Sequence, residues 1–427
     1  MLRFGYFVLK NPPDSSPRAL GQWCCIIDHT IQVGRQKAFL ILGVPLKQLG
    51  PEALSIDQSR VLCLEVKESW TGELVGESLS KTFRRYGTPS QLIMDGARDL
   101  SKGVRMAQEE LQSSFHVTYD LTHFIANLLK KRYTEDPIFE TLMTLVNEST
   151  KKIMPTSIAY LQPPKIRKKQ RFHNLPHIAQ WFEKMISILQ MKRGEIPIGR
   201  QENKKLQEIF SWVLRYKNKK FLKGFSHEVA LMTELQRLLK NKSMTEITYH
   251  RACQLIEHMR DPTLKDPLQQ WLDKEQQFYL KVKNPTLITS DIIESSFGKY
   301  KYHAKPHRMT EINRMILLLP CLTVQPNETL LKRAFLHVKQ KTIDRWSKKN
   351  IGQTLLSKRK MLMKFIPKTK TVALKEKNEK RMKSIPKTET AALKEKIEND
   401  KKTQLNDMFN KNEVIMYSNI NDLTIIV

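Results

Sequence analysis

Up to about residue 135 the chain alternates between short apolar runs and longer amphipathic stretches. Trp23 to Asp28 (W-C-C-I-I-D), Lys37 to Leu46 and Val61 to Val66 are apolar runs of strand length. The gap between Asp28 and Lys37 contains Gly34 and suits a hairpin turn. The period then changes. Leu74, Leu79, Phe83 and Tyr86 lie close to helical spacing, and Gly87 is placed to stop that helix. Ser90 to Asp95 predicts a fourth strand, Arg98 to Leu111 a helix, Val117 to Leu121 a fifth strand and Phe124 to Tyr133 another helix.

Three strands, helix, strand, helix, strand, helix is the order of an antiparallel meander continued by β-α-β crossovers. It predicts an α/β fold with a mixed sheet covered by helices, the order of the five-stranded ribonuclease H-like fold. From about Pro137 to Lys283 the strand signal disappears. Ile178, Trp181, Phe182, Met185 and Leu189 follow helical spacing, as do Leu206, Ile209, Phe210 and Val213, and the run from Val229 to Leu239. The expected organisation is a linker over 1–22, a first catalytic part over 23–135 and an all-helical insertion over 136–284. A final catalytic part follows over 285–345, then a basic tail over 346–427.

Two strand-like runs end in a carboxylate, Asp28 and Asp95, and Gly96 follows the second. Ligands of open α/β sheets sit at the carboxyl ends of strands. In the ribonuclease H-like order the first and fourth strands are neighbours, so the two acids are expected to meet. Each alone also reads as an Asp before a turn.

Composition sharpens the picture. The 73 Lys+Arg against 43 Asp+Glu give a formal net charge of +30. A polyanion is the simplest partner for such a chain, and nucleic acid the commonest one; a membrane surface is the rival. The basic residues run along the whole chain instead of one amphipathic segment. The odd set Cys24, Cys25, Cys63, Cys253 and Cys321, with no C-x-x-C spacing, argues against a disulfide framework and against a zinc module. The run from Met315 to Val324 is too short to span a bilayer and contains Pro320. A cytoplasmic, nucleoid-associated protein is expected.

A third carboxylate lies beyond the helical block, in N-P-T-L-I-T-S-D-I-I-E-S-S-F-G-K-Y-K-Y. Thr289 or Ser290 can cap a helix whose first turn holds Asp291. Ile292, Ile293 and Phe297 are expected to pack on the sheet, with Glu294 beside them and Lys301 two turns further along the same face. This reads either as a helix-surface ion pair or as a metal ligand beside a phosphate contact. Joined to Asp28 and Asp95, Glu294 completes an oxygen donor set for two hard divalent cations, Mg²⁺ or Mn²⁺. Ions held about 3.5–4 Å apart drive in-line displacement at phosphorus. The loop P-P-K-I-R-K-K-Q-R adds Lys165, Arg167, Lys168, Lys169 and Arg171 as candidate phosphate contacts. His173 and His177, with Pro176 between them, read as structural.

The segments I-I-D-H-T-I-Q-V-G, L-I-M-D-G-A-R-D-L, Y-D-L-T-H and D-I-I-E-S-S-F-G-K-Y-K resemble those of DDE transposases of bacterial insertion sequences, members of the ribonuclease H-like superfamily. The resemblance covers about Trp23 to Leu129 and Thr286 to Tyr302. It implies that Asp28, Asp95 and Glu294 are the catalytic acids that bind two Mg²⁺ or Mn²⁺ ions. It also implies that the helical block is an insertion domain, and that duplex DNA is bound by a homodimer in a synaptic complex. Glu294 with Lys301 matches an E-x6-K pattern whose Lys contacts DNA, and Lys299 stands beside it. The Tyr and Arg expected upstream are replaced by Leu287 and Ser290. Asp120-x-x-His123 is similar to a C-x-x-H motif with Asp in place of Cys. That makes His123 a candidate for handling DNA or a proton; a buried, satisfied histidine is the other reading. An N-terminal DNA-reading domain is expected in the family, so the short N-terminus implies a truncated copy. A nuclease of the same fold and a non-catalytic DNA-binding remnant remain as alternatives. The tail repeats I-P-K-T-K-T-V-A-L-K-E-K-N-E as I-P-K-T-E-T-A-A-L-K-E-K-I-E, a basic segment suited to backbone contacts.

Overall fold

The computed structural model describes residues 1–11, 21–50, 52–165, 174–191, 198–304 and 311–365. Met1–Leu356 form one compact unit and Ser357–Val427 a second. The repeated tail motif and the basic run 166–171 lie outside the described residues, as does His173.

The chain opens with α1 (Leu2–Lys10), followed by β1 (Trp23–Val33), β2 (Gln36–Pro45) and β3 (Arg60–Lys67). Next come α2 (Gly72–Tyr86), β4 (Gln91–Met94), α3 (Arg98–Glu110), β5 (His116–Tyr119) and α4 (Leu121–Tyr133). The helical block holds α5 (Pro137–Ile153), α6 (Leu175–Gln190), α7 (Arg200–Phe210), α8 (Tyr216–Asn241), α9 (Glu246–Glu257) and α10 (Pro262–Val282). Five helices follow it: α11 (Asp291–Ala304), α12 (Leu318–Leu322), α13 (Glu328–His337), α14 (Gln340–Asn350) and α15 (Leu355–Phe365).

The five strands form one sheet in the order β3-β2-β1-β4-β5. The β1–β2 and β2–β3 pairs are antiparallel, and β1–β4 and β4–β5 are parallel. This is the mixed α/β sheet of ribonuclease H-like order that the sequence predicts. Strand alternation sorts the apolar residues onto two faces. Trp23, Cys25, Ile27, Phe39 and Ile41 pack on one face with Val75, Leu79 and Phe83 of α2 and Leu100 and Val104 of α3. Cys24, Ile26, Ala38, Leu40 and Leu42 pack on the other with Phe4 and Phe7 of α1, Ile293 and Phe297 of α11, and Trp346 of α14.

Several boundaries differ from the expected ones; β5 ends at Tyr119, and Leu121, which the sequence assigns to the strand, already begins α4 because the Asp120 side chain caps the helix there. β1 runs five residues past Asp28 before turning at Gly34-Arg35, because H-T-I-Q-V keeps pairing with β2 after an irregularity between Asp28 and Ile31. Residues 2–10 form a helix instead of a linker, since Phe4, Phe7 and Val8 share one buried stripe. That stripe packs so closely that a Cβ at Gly5 would lie 1.9 Å from the Leu317 carbonyl oxygen. The tail boundary at 345/346 falls inside α14, where Ile343 and Trp346 join the sheet's core.

The helical block has its own core. Phe139, Phe182, Phe210, Val229, Leu268 and Trp271 belong to it, and so do Leu121, Ile125 and Leu129 of α4. α10 lies along the outer strand β5. Trp271 Nε1 donates to the Tyr119 carbonyl at 3.1 Å and Lys274 Nζ to that of Val117 at 2.8 Å, so this sheet edge is capped. The five cysteines are free, and among the described residues no helix is long and apolar enough to cross a membrane.

Candidate active site

β1 and β4 pair in parallel, with Ile26 opposite Ile93. Asp28 and Asp95 each follow two residues beyond that pair. Asp28 continues the alternation of Ile26 within β1 and so lies toward the face that α11 covers. Asp28 is buried. Asp95 follows the last residue of β4, and its Oδ1 accepts the Ala97 N–H at 2.8 Å, which bends the chain away from the sheet. Gly96 completes the turn at φ +75°, where a Cβ would also lie 2.5 Å from the Tyr119 ring; no larger residue fits.

Glu294 reaches this end of the sheet from far along the chain, and its helix is pinned there. The Asp120 carboxylate, almost wholly buried, ties three segments together. Its Oδ1 accepts the His123 N–H at 3.0 Å and so caps α4. Its Oδ2 accepts the Ser290 N–H at 2.6 Å and the Ser290 hydroxyl at 2.9 Å, immediately before α11. Gln91 Nε2 donates to the Leu287 carbonyl at 2.6 Å, and Leu121 N–H to that of Ile288 at 3.1 Å. The Thr289 hydroxyl accepts the N–H of Asp291, the first residue of α11, at 3.2 Å. Ile293 and Phe297 then pack into the sheet's core.

Glu294 is half exposed, and its Oε1 lies 3.4 Å from His123 Nε2. Burial works against a charge on His123. The hydrogen bond to Glu294 and the charges of Asp120, Asp95 and Glu294 outweigh it and lift the imidazole to about 9. The D-x-x-H motif therefore acts as a two-point clamp, Asp120 on Ser290 and His123 on Glu294.

Lys299 and Lys301 are exposed on α11, Lys301 two turns beyond Glu294, or roughly 10 Å along the axis. Lys165 is exposed in the loop after Leu161; Arg167, Lys168, Lys169 and Arg171 lie outside the described residues. His177 is exposed. Sequence reasoning missed the Asp120–Ser290 clamp. It also missed the pair of His29 Nε2 with Asp99 Oδ2 at 2.7 Å, which ties β1 to the start of α3. The polar residues were visible; nothing local names a partner 170 positions away.

Among the described residues, no three His, Cys, Asp or Glu side chains stand close enough to share a metal ion. By donor chemistry, the oxygen-only set Asp28, Asp95 and Glu294 fits hard divalent cations. No protein-family model matches this chain, and no curated protein matches it. Among solved structures, the Drosophila P element transposase strand transfer complex is similar at 10% identity and a TM-score of 0.39, over 77% of this chain and 81% of that one.

Proposed function

We propose that this protein is a metal-dependent DNA transposase that cleaves phosphodiester bonds at transposon ends and joins the freed 3′-hydroxyl to target DNA. One observation supports the reading: β1 and β4 pair in parallel up to Ile26 and Ile93, two residues before Asp28 and Asp95, and the helix that bears Glu294 is anchored beside Asp120 by buried hydrogen bonds. Asp28, Asp95 and Glu294 would hold two Mg²⁺ or Mn²⁺ ions, which supply Lewis acidity and a nucleophile for in-line displacement. Lys299 and Lys301 offer positive charge to a phosphate beside Glu294. His123 holds the Glu294 carboxylate until a cation competes for it. Duplex DNA is the partner, with a homodimer bringing two ends together.

Calorimetric titration of the full chain with Mn²⁺ should show saturable binding that Asp95→Asn removes. The same substitution should abolish Mn²⁺-dependent nicking of end-bearing DNA while leaving DNA binding largely intact. Unchanged nicking would end the proposal.

A second reading, DNA binding without catalysis, is favoured by the Glu294–His123 pair and by the lack of a ready three-ligand group among the described residues. It expects no carboxylate-dependent Mn²⁺ binding. Strand transfer with pre-cut ends separates a transposase from a nuclease of the same fold.

A further inference from the structure

On the side of the sheet away from β5 the outer strand is β3, and no described strand or helix caps it as α10 caps β5. Instead β3 forms the floor of a groove of about 560 Å³, walled by α2 on one side and by α1 and α14 on the other. Its floor and walls bring together Lys10, Lys81, Arg85, Arg345 and Lys349 from three helices. Glu65 is the one acid among the lining residues, and it is already paired with Lys67 at 3.3 Å. Lys81, Arg345 and Lys349 are exposed and make no ion pair among the described residues.

This crowding of like charge is felt by its members. Partial burial, then Arg85 and Lys81, push the Lys10 ammonium below its usual range. Uncompensated cations facing one concavity are unfavourable unless an anion enters it. Beneath Arg85, whose guanidinium lies 5.0 Å from the Tyr86 ring, the buried Tyr86 hydroxyl has no hydrogen-bond partner. Of the aromatic residues here Tyr86 and Trp346 are buried, and the half-buried Tyr6 packs edge-on with Trp346, so little is offered for base stacking. The chemistry on display is therefore phosphate recognition, not base recognition.

We infer that the β3-edge groove docks the sugar-phosphate backbone of duplex DNA, at a site separate from the Asp28–Asp95–Glu294 end of the sheet. Lys81, Arg345 and Lys349 make direct phosphate contacts, and Lys10 and Arg85 set the potential of the floor. Binding is independent of sequence, independent of divalent metal and strongly salt-dependent.

The test uses the full chain with a random-sequence DNA duplex and EDTA, so its outcome does not depend on the catalytic proposal. Binding is followed from 50 to 200 mM salt for the wild type and for the triple variant Lys81→Gln/Arg345→Gln/Lys349→Gln. Losing three phosphate contacts should flatten the log–log salt slope by about 2.7, so that the wild type loses roughly 40-fold more affinity over this range. A matched variant on the helical block, Lys151→Gln/Lys152→Gln/Lys184→Gln, should keep most of the slope. Bound duplex should also protect Lys10, Lys81 and Lys349 from acetylation, read by mass spectrometry. Full acetylation of these lysines under saturating duplex would overturn the inference, as would tighter binding of a single strand or an acidic peptide in the groove. Cations at a sheet edge also keep it from pairing with other edges. If that were their whole role, the triple variant would self-associate with an unchanged salt slope, which again overturns the inference.

Discussion

The sheet and the helical block each bury a continuous apolar core, but their buried polar groups do different work. In the block's interior several such groups join neighbouring helices one at a time, whereas Glu275 on α10, fully buried, meets both the Thr118 hydroxyl and the His116 ring of β5. Trp212 Nε1 donates to the Ser149 hydroxyl at 2.9 Å, the Ser226 hydroxyl to the Ala179 carbonyl at 3.2 Å, and the Arg260 N–H to Glu228 at 2.9 Å. Around the sheet, Gln91, Asp120 and Ser290 converge, and they bind segments from distant parts of the chain. Dispersed bonds satisfy backbone and side chains; convergent ones place a particular helix. The difference marks the block as scaffold and the sheet's carboxyl end as the place where position matters.

The largest test of this contrast is the separation of activity from stability. Asp95→Asn keeps an oxygen for the Ala97 N–H, so the fold should hold within about 0.5 kcal/mol in urea unfolding. Under the proposed chemistry the same change removes several kcal/mol of transition-state stabilisation, so nicking should fall by roughly 10³-fold or more. In the block the pattern should reverse. Phe182 is fully buried among Trp181, Trp212 and Phe225, and Phe182→Ala should cost about 3–5 kcal/mol of stability. Its residual folded fraction should keep the per-molecule activity of the wild type, measured by active-site titration.

Between these extremes lies Asp120→Ala, which should lower both. It removes the α4 cap and both bonds to Ser290, about 3 kcal/mol in all. Calorimetry should then show weaker Mn²⁺ binding as α11 loses its anchor. A loss of stability with unchanged Mn²⁺ affinity would reduce Asp120 to a helix cap.

How far the sequence showed this contrast follows from the range of the forces involved. Strand runs and helix stripes are local patterns, so the strand order and the two carboxylates at β1 and β4 were legible. The start of α11 after Ser290 was legible too, because the bonds that begin a helix are short-range. β1 beyond Asp28 was not: His29, Thr30 and Gln32 break the apolar run, and pairing with β2 carries the strand through them. α1 carries its stripe of Phe4, Phe7 and Val8 within a single short segment, and the Pro-rich residues after Asn11 have the composition of a linker. The Asp120–Ser290 clamp and the β3-edge cations depend on residues brought together only by folding, and no spacing encodes them.

The smallest effect sharpens the comparison by pH. Arg132 on α4 joins Asp136 at 2.8 Å and Asp261 at 2.6 Å, linking the starts of α5 and α10. Burial works to raise both carboxyls. The Thr263 hydroxyl on Asp261, the Arg132 guanidinium on both, and backbone N–H groups outweigh it and hold both below the ordinary value of 3.8. A carboxyl depressed in the folded state stabilises the fold above its unfolded pKa, and that contribution is lost as pH falls through the folded value. The block should therefore weaken below about pH 4. Around the sheet, the acids with depressed values, Asp57, Glu73 and Glu110, are fully exposed and screened, and should add little. Both carboxylates are partly open to solvent, so the loss should be modest, about 1 kcal/mol between pH 6 and pH 3. Arg132→Gln should lower stability at pH 6 by a similar amount and flatten this acid limb, measured by urea midpoints at the two pH values. An acid limb unchanged in the variant would move the block's acid sensitivity to other residues.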